Sequence, residues 1–229
     1  MKAPEVMNPR LSEQKVLSGR AAYPEALQQA LLRFCFDTDQ WVNTAALLEQ
    51  LNLNRLHGWE LGMSGDALKK FVGKHSNPAR LDLALLTSEL SGRLALMPRS
   101  DWLRLGICLS FLPYCGHIRV SMDGHFRRAV REHLDESALI MLEQHGEVED
   151  RPVFIGGAGA WRNPHLVALG GVRAGLEQAC RWPDVLRQRF LLQFDMSELA
   201  VKPTVQGLNG YWLELACKTI FPQHPWLWS

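Results

Sequence analysis

The chain has almost no excess of charge of either sign. Its 25 lysines and arginines stand against 24 aspartates and glutamates, a formal net charge of +1 over 229 residues. Non-specific binding to nucleic acid or anionic lipid draws on several uncompensated cations, so no global drive of that kind operates, although a local basic face stays open. A disulfide framework is also missing. The five cysteines, Cys35, Cys108, Cys115, Cys180 and Cys217, are odd in number and scattered, where a secreted domain of this length carries an even, denser set. Reduced thiols in a cytosol are the simpler reading. No apolar run is long enough for a bilayer. The longest uncharged stretch, Leu105 to Ile118, has about 14 residues and contains Pro113; as a helix it spans about 21 Å, against about 30 Å of hydrocarbon. It reads as a buried helix. The opening MKAPEVMNPRLSEQK lacks the apolar stretch of a signal peptide, so a cytoplasmic protein is expected. Alternating strand patterns are nearly absent, with Arg189-Phe190-Leu191-Leu192-Gln193-Phe194 the one serious strand competitor.

Helical periodicity fills the space these absences leave. Apolar residues make up 47% of the chain, enough for a substantial core. Residues 1–20 are mixed polar without a sustained period and read as a flexible N-terminal arm. From Tyr23, the residues Ala26, Leu27, Ala30, Leu31 and Phe34 form one stripe. Asn77-Pro78 and Asn163-Pro164 each put an amide side chain at the N-cap and proline at the first helical position, where its missing N–H costs nothing. The first begins a helix expected to run to about Leu96; Ser100-Asp101 is expected to cap the next, and Asp123 the one carrying Phe126, Ala129, Val130 and Leu134. Further helices are expected over Ala138–Leu142, Leu166–Trp182, from Val185 to about Phe194, and near Leu208–Phe221. The acidic run Glu147, Glu149, Asp150 before Pro152 marks a long loop or a subdomain boundary. The expected architecture is all-α and compact, with helical lobes over 21–146 and 147–229, the second packed on the first, and a Gly-rich connector.

Most of the chemistry-bearing residues have a bland reading. Phe154-Ile155-Gly156-Gly157-Ala158-Gly159-Ala160-Trp161 imitates a dinucleotide loop, but with Gly157 and Gly159 as the first two glycines the third position is Arg162, and no Gly-Lys-Ser/Thr follows. Cys108, Cys115, His117, His125 and His133 lie close in sequence without the paired spacing of a zinc site. Core thiols and surface histidines account for them; the alternative is a small metal- or thiol-dependent enzyme or sensor centred on Cys108, Cys115 and His117. Ser64 in Gly62-Met63-Ser64-Gly65 misses the nucleophile-elbow pattern and suits a helix cap.

The densest basic feature is Arg127, Arg128 and Arg131, with Arg119 upstream. Positions 127 and 131 share a helical face with 128 beside them, while Phe126, Val130 and Leu134 face inward. Glu132, Asp135 and Glu136 follow at once. This face is either solvated through salt bridges or docks an acidic partner; nucleic acid is disfavoured, since no aromatics interleave with the arginines. Of eight tryptophans, Trp41, Trp59, Trp102, Trp161, Trp182 and Trp212 fall near expected helix ends, as core or hinge anchors. Trp226 and Trp228, on a proline-rich tail, either fold back on the body or present an aromatic hook to a partner.

Several segments in matching order resemble the SctK (YscK/PscK/OrgA/MxiK) family of type III secretion accessory proteins. Leu32-Arg33-Phe34-Cys35 and Trp41 look like the family's early Arg-Phe-Cys segment and its aromatic follower. Leu105-Gly106-Ile107-Cys108-Leu109 leads into Gly116-His117-Ile118-Arg119, similar to its Gly-x-x-Ile-Arg turn. Helices ending in Glu143-Gln144-His145 follow, and Leu215-Ala216-Cys217-Lys218-Thr219-Ile220-Phe221-Pro222 looks like its closing segment before a short aromatic tail. The likeness runs through most of the chain from about residue 32. It departs at Val120, where the family has a second arginine, in the long N-terminal arm and at Gly156–Gly159. The resemblance implies a helical cytosolic adaptor without enzymatic activity, cofactor or metal. In the sorting platform such a protein links the cytosolic domain of the inner-membrane ring protein SctD to the pod protein SctQ, and is held at the cytosolic face of the inner membrane through its partner alone. No residue is carried over from the family; the candidate partner-binding residues Arg119, Arg127, Arg128, Arg131, Trp226 and Trp228 come from amphipathicity.

Overall fold

The computed structural model describes residues 23–36, 83–145, 150–157 and 159–227. The arm over 1–20, Asn77-Pro78, Ser64, Trp41, Trp59 and Trp228 lie outside them. The fold is all-α: the described residues form helices α1 (Glu25–Phe36), α2 (Leu83–Ser88), α3 (Leu90–Leu94), α4 (Arg99–Phe111), α5 (Gly124–His133), α6 (Glu136–Gln144), α7 (Pro164–Ala174), α8 (Asp184–Leu191), α9 (Met196–Leu199) and α10 (Gly210–Ile220), with short 3₁₀ turns at Leu112–Tyr114, Ile118–Val120, Ala160–Arg162 and Pro225–Leu227. One small antiparallel pair, β1 (Val153–Phe154) with β2 (Val205–Gln206), sets Val153 against Gln206 and Phe154 against Val205.

The centre is α4 crossing α7. Every residue of α4 from Leu105 to Phe111 is buried, as expected of a helix apolar all round. The two backbones meet through glycine. A Cβ added at Gly171 would lie 1.8 Å from the Gly106 carbonyl oxygen, and one at Gly106 would lie 2.2 Å from that of Ala168. Such an approach leaves polar groups in the crossing, and they are paired. The Ser110 hydroxyl lies 3.1 Å from the Gly106 carbonyl oxygen, 3.3 Å from that of Val167 and 2.8 Å from the Thr204 hydroxyl. Because α4 and α7 lie on opposite sides of the acidic segment near residue 147, the helices before and after it share one core, from Leu94 to Leu227. A second cluster gathers Leu27, Leu31, Phe34 and Cys35 of α1 with Leu86, Ala95, Leu96 and Leu186, and Trp182 and Trp226 pack against both clusters.

Local signals act where they were expected at two helix starts. Asn163 accepts from the Leu166 N–H at 3.2 Å with Pro164 at the first helical position, and Asp123 accepts from the N–H groups of His125 and Phe126 at 2.8 and 3.3 Å. Elsewhere the structure corrects the expectation. The helix expected to run to Leu96 is broken at Glu89, which is extended at φ −118° and ψ 148°. The break folds α3 back so closely that a Cβ on Gly92 would lie 1.9 Å from the Leu85 carbonyl oxygen. Ser100-Asp101 does not cap α4: both lie inside the helix, which starts at Arg99 after extended Pro98, whose carbonyl accepts from the N–H groups of Asp101 and Trp102. The strand alternative for 189–194 gives way to α8 and a turn, with Arg189, Phe190, Leu192, Gln193 and Phe194 all buried rather than alternating.

α7 does not reach Trp182 as an unbroken α-helix; it passes into a π-helical turn, Gly175–Ala179. That turn aims Gln178 at β2, where its amide donates to the Val205 carbonyl at 2.8 Å and its oxygen accepts from the N–H groups of Gly207 and Leu208. The glycine-rich connector is stacked against an aromatic cluster. Gly156 lies under the Phe154 ring, and Gly159 takes φ +79°, a left-handed conformation that favours glycine. Trp161 follows, its ring stacked on Phe111 at 4.7 Å and on Phe154 at 5.3 Å.

Candidate docking surface

The aromatic cluster sets the orientation of α5. Phe126 meets Phe111 edge-on at 5.4 Å and Trp161 edge-on at 5.1 Å, and lies tilted to Tyr114 at 4.6 Å, each such pair contributing about 0.5–1.5 kcal/mol beyond area burial. With Phe126, Ala129 and Val130 buried, helical geometry turns positions 127, 128 and 131 to solvent. Arg127, Arg128 and Arg131 are all exposed. Among the described residues none of the three makes an ion pair or a side-chain hydrogen bond. The salt-bridged reading of this face therefore does not describe them, although Glu132 stands beside them and shares their outer surface with Gly124.

Arg119 behaves differently. From the 3₁₀ turn Ile118–Val120 it reaches α6, with Nη2 2.8 Å from Glu136 Oε1 and Nε 2.8 Å from Glu143 Oε1. It ties the turn to α6, its single positive charge shared between two carboxylates. Between α5 and α6 runs a groove of about 310 Å³, lined by Ile118, Val130 and Leu139 with Arg119, Arg127, Arg131 and Glu136 at its rim. Just before α5 two apolar side chains project into solvent, Val120 at 71% and Met122 at 92% exposure. The surface thus combines three guanidinium groups without an ion-pair partner among the described residues, an aliphatic groove and an apolar tip.

Trp226 takes the fold-back alternative. It is half-buried against both core clusters, its carbonyl accepts from Arg93 Nη1 at 3.1 Å, and Leu227 beside it is fully buried.

The thiols are internal. All five cysteines are free and buried. Burial pushes Cys115 up to about 11 and Cys180 to about 12, and Cys108 and Cys217 also move up. Raised values suppress the thiolate, the form that attacks or binds metal. His117 is exposed while Cys108 and Cys115 are buried, and among the described residues no group of three His, Cys, Asp or Glu side chains could hold a metal ion.

Two features escaped the sequence reading. Arg189 is 1% exposed and bound to α1; its one signal is its position between Leu186 and Phe190, on the apolar stripe of α8. The other is a cluster at the start of α4, where Arg99 pairs with Glu198 and His165 lies 3.7 Å from the same carboxylate. Glu198 also closes a capping box with Asp195, a short-range pattern that the sequence did carry. Among the described residues, no helix is long and apolar enough to cross a membrane. No family model, curated protein or solved structure matches this chain.

Proposed function

We propose that this protein is a non-enzymatic adaptor that docks an acidic protein surface on the arginine ridge of α5. The observation that carries the reading is the state of Arg127, Arg128 and Arg131: exposed, mutually adjacent and, among the described residues, without an ion-pair partner, on a helix whose opposite face is locked into the core. A like-charged ridge repels itself, and a complementary partner relieves that repulsion while gaining on-rate and specificity. Together with the resemblance of the segments around Arg33-Phe34-Cys35, Gly116–Arg119 and Leu215–Pro222 to the SctK family, this supports a place in a type III secretion sorting platform. There the protein would link the cytosolic domain of an SctD-type ring protein to an SctQ-type pod protein, in the cytoplasm at the inner membrane and attached through its partner.

The test is co-purification with SctD-type and SctQ-type proteins, using wild type and a variant carrying Arg127→Glu, Arg128→Glu and Arg131→Glu. Capture of at least one partner by wild type, lost in the variant, supports the reading. Retention of every interaction after charge reversal removes this ridge from it.

A further inference from the structure

The groove beside the ridge shares two of its arginines, since Arg127 and Arg131 border both the groove and the outer face of α5. Resting on the docking reading, we infer that the occupant of this groove is an acidic segment of a partner protein. In that segment an aliphatic or aromatic anchor, seated over Val130 and Leu139, is flanked by carboxylates that meet Arg127 and Arg131.

The charge pattern selects the sign of the occupant. Among the residues that line the groove, Glu136 is the one carboxylate and is paired with Arg119, so three guanidinium groups stand against one negative charge and the rim facing a ligand is net positive. Arg127 and Arg131 are one helical turn apart, about 6 Å between Cβ atoms, a separation that two neighbouring carboxylates on one segment can span. Guanidinium forks bind carboxylates in bidentate fashion. The lining selects the anchor. Ile118 and Val130, 3% and 5% exposed, form the floor and half-buried Leu139 supplies the accessible aliphatic surface, and about 310 Å³ is at the lower end of small-molecule pockets, room for one or two side chains. Val120 and Met122 expose further apolar surface just before α5, and exposed methionine adapts to varied partners.

The experiment is selection of a phage-displayed random 12-residue peptide library on the full chain, followed by calorimetric titration of the enriched synthetic peptides. The expected peptides carry Asp or Glu on both sides of a Leu, Ile, Phe or Trp. Arg127→Gln, an exposed change that leaves the core alone, weakens them at least tenfold and flattens their salt dependence. Leu139→Gln also weakens them at least tenfold, whereas Leu139→Met does not. Thermal melts of each variant identify any loss that comes from unfolding; if Leu139→Gln melts early, Arg127→Gln with peptides lacking the anchor decides the question.

Acidic peptides that ignore both Leu139→Gln and removal of their anchor overturn the groove assignment and leave the ridge reading standing. Peptides without carboxylates, or no enrichment at all, overturn the groove assignment too. Sedimentation of the chain alone and flotation with phosphatidylcholine/phosphatidylglycerol vesicles cover the other occupants: self-association or vesicle binding abolished by Leu139→Gln gives the groove to a second copy or to lipid and overturns the inference.

Discussion

Arg189 on α8 closes the C-terminal end of α1, donating from Nε to the carbonyl of Phe34 at 3.0 Å across 155 residues of sequence. Its Nη2 reaches the neighbouring carbonyl of Cys35 at 3.2 Å, and the guanidinium lies 4.9 Å from the centroid of the Phe34 ring. The last carbonyls of a helix have no partner inside it and carry the negative end of its dipole, so a buried cation there satisfies both. Arg189→Leu removes the donors and strands those carbonyls, at a cost of about 2–3 kcal/mol. Urea unfolding should show that loss, and hydrogen exchange should show it concentrated in α1. Unchanged protection of α1 would mean that the apolar contacts of Leu27, Leu31 and Phe34 hold the helix alone.

The α4–α7 crossing makes a second prediction, in the form of a contrast. Gly171→Ala drives a methyl into the Gly106 carbonyl, which is backbone and cannot step aside. The helices must separate, with a loss of about 3 kcal/mol or more. Gly124→Ala, at the first position of α5, meets nothing within 4 Å and is expected to be neutral or stabilising by up to about 1 kcal/mol. Thermal melts of the two variants should move in opposite directions, or only the first should move.

The buried thiols make the third. Cys115 and Cys180 are held at about 11 and about 12 against an ordinary value of 9.0. Each folded-state value lies above the unfolded one, so their contribution to stability is complete below pH 9 and drains away as pH rises towards 11–12. Urea midpoints measured at pH 8 and pH 10.5 should fall, and the fall should be shallower in Cys180→Ala. Equal slopes in the two proteins would contradict the assignment. At pH 8 all five thiols should react with an aromatic disulfide reagent only at the rate of unfolding.

What the sequence made legible was local. The Asn163-Pro164 start, the Asp123 cap and the division of α5 into a Phe126/Val130 face and an arginine face all follow from short-range rules, and the structure realises them. Long-range decisions were not legible. Glu89 breaks a helix whose apolar pattern runs straight through it, because the fold needs α3 to turn back across Leu85. Gly106 and Gly171 look unremarkable until their helices cross. The β1–β2 pair is two residues long on each side, too short for alternation to register. At the candidate surface the arginines could be placed on one face, but their lack of partners could not be read from sequence. Glu132, Asp135 and Glu136 follow within a few positions, and the pairing goes instead to Arg119 with Glu136 and Glu143.

The most direct measurement is isothermal titration of the full chain against the purified cytosolic domain of an SctD-type protein and against an SctQ-type protein. Each titration is run with wild type and with the Arg127→Glu/Arg128→Glu/Arg131→Glu variant. The account predicts saturable binding by wild type, at least tenfold weaker binding of one partner by the variant, about 1.4 kcal/mol or more, and thermal melts that coincide. Binding of neither partner by wild type, or equal affinities for both proteins before and after charge reversal, would contradict it.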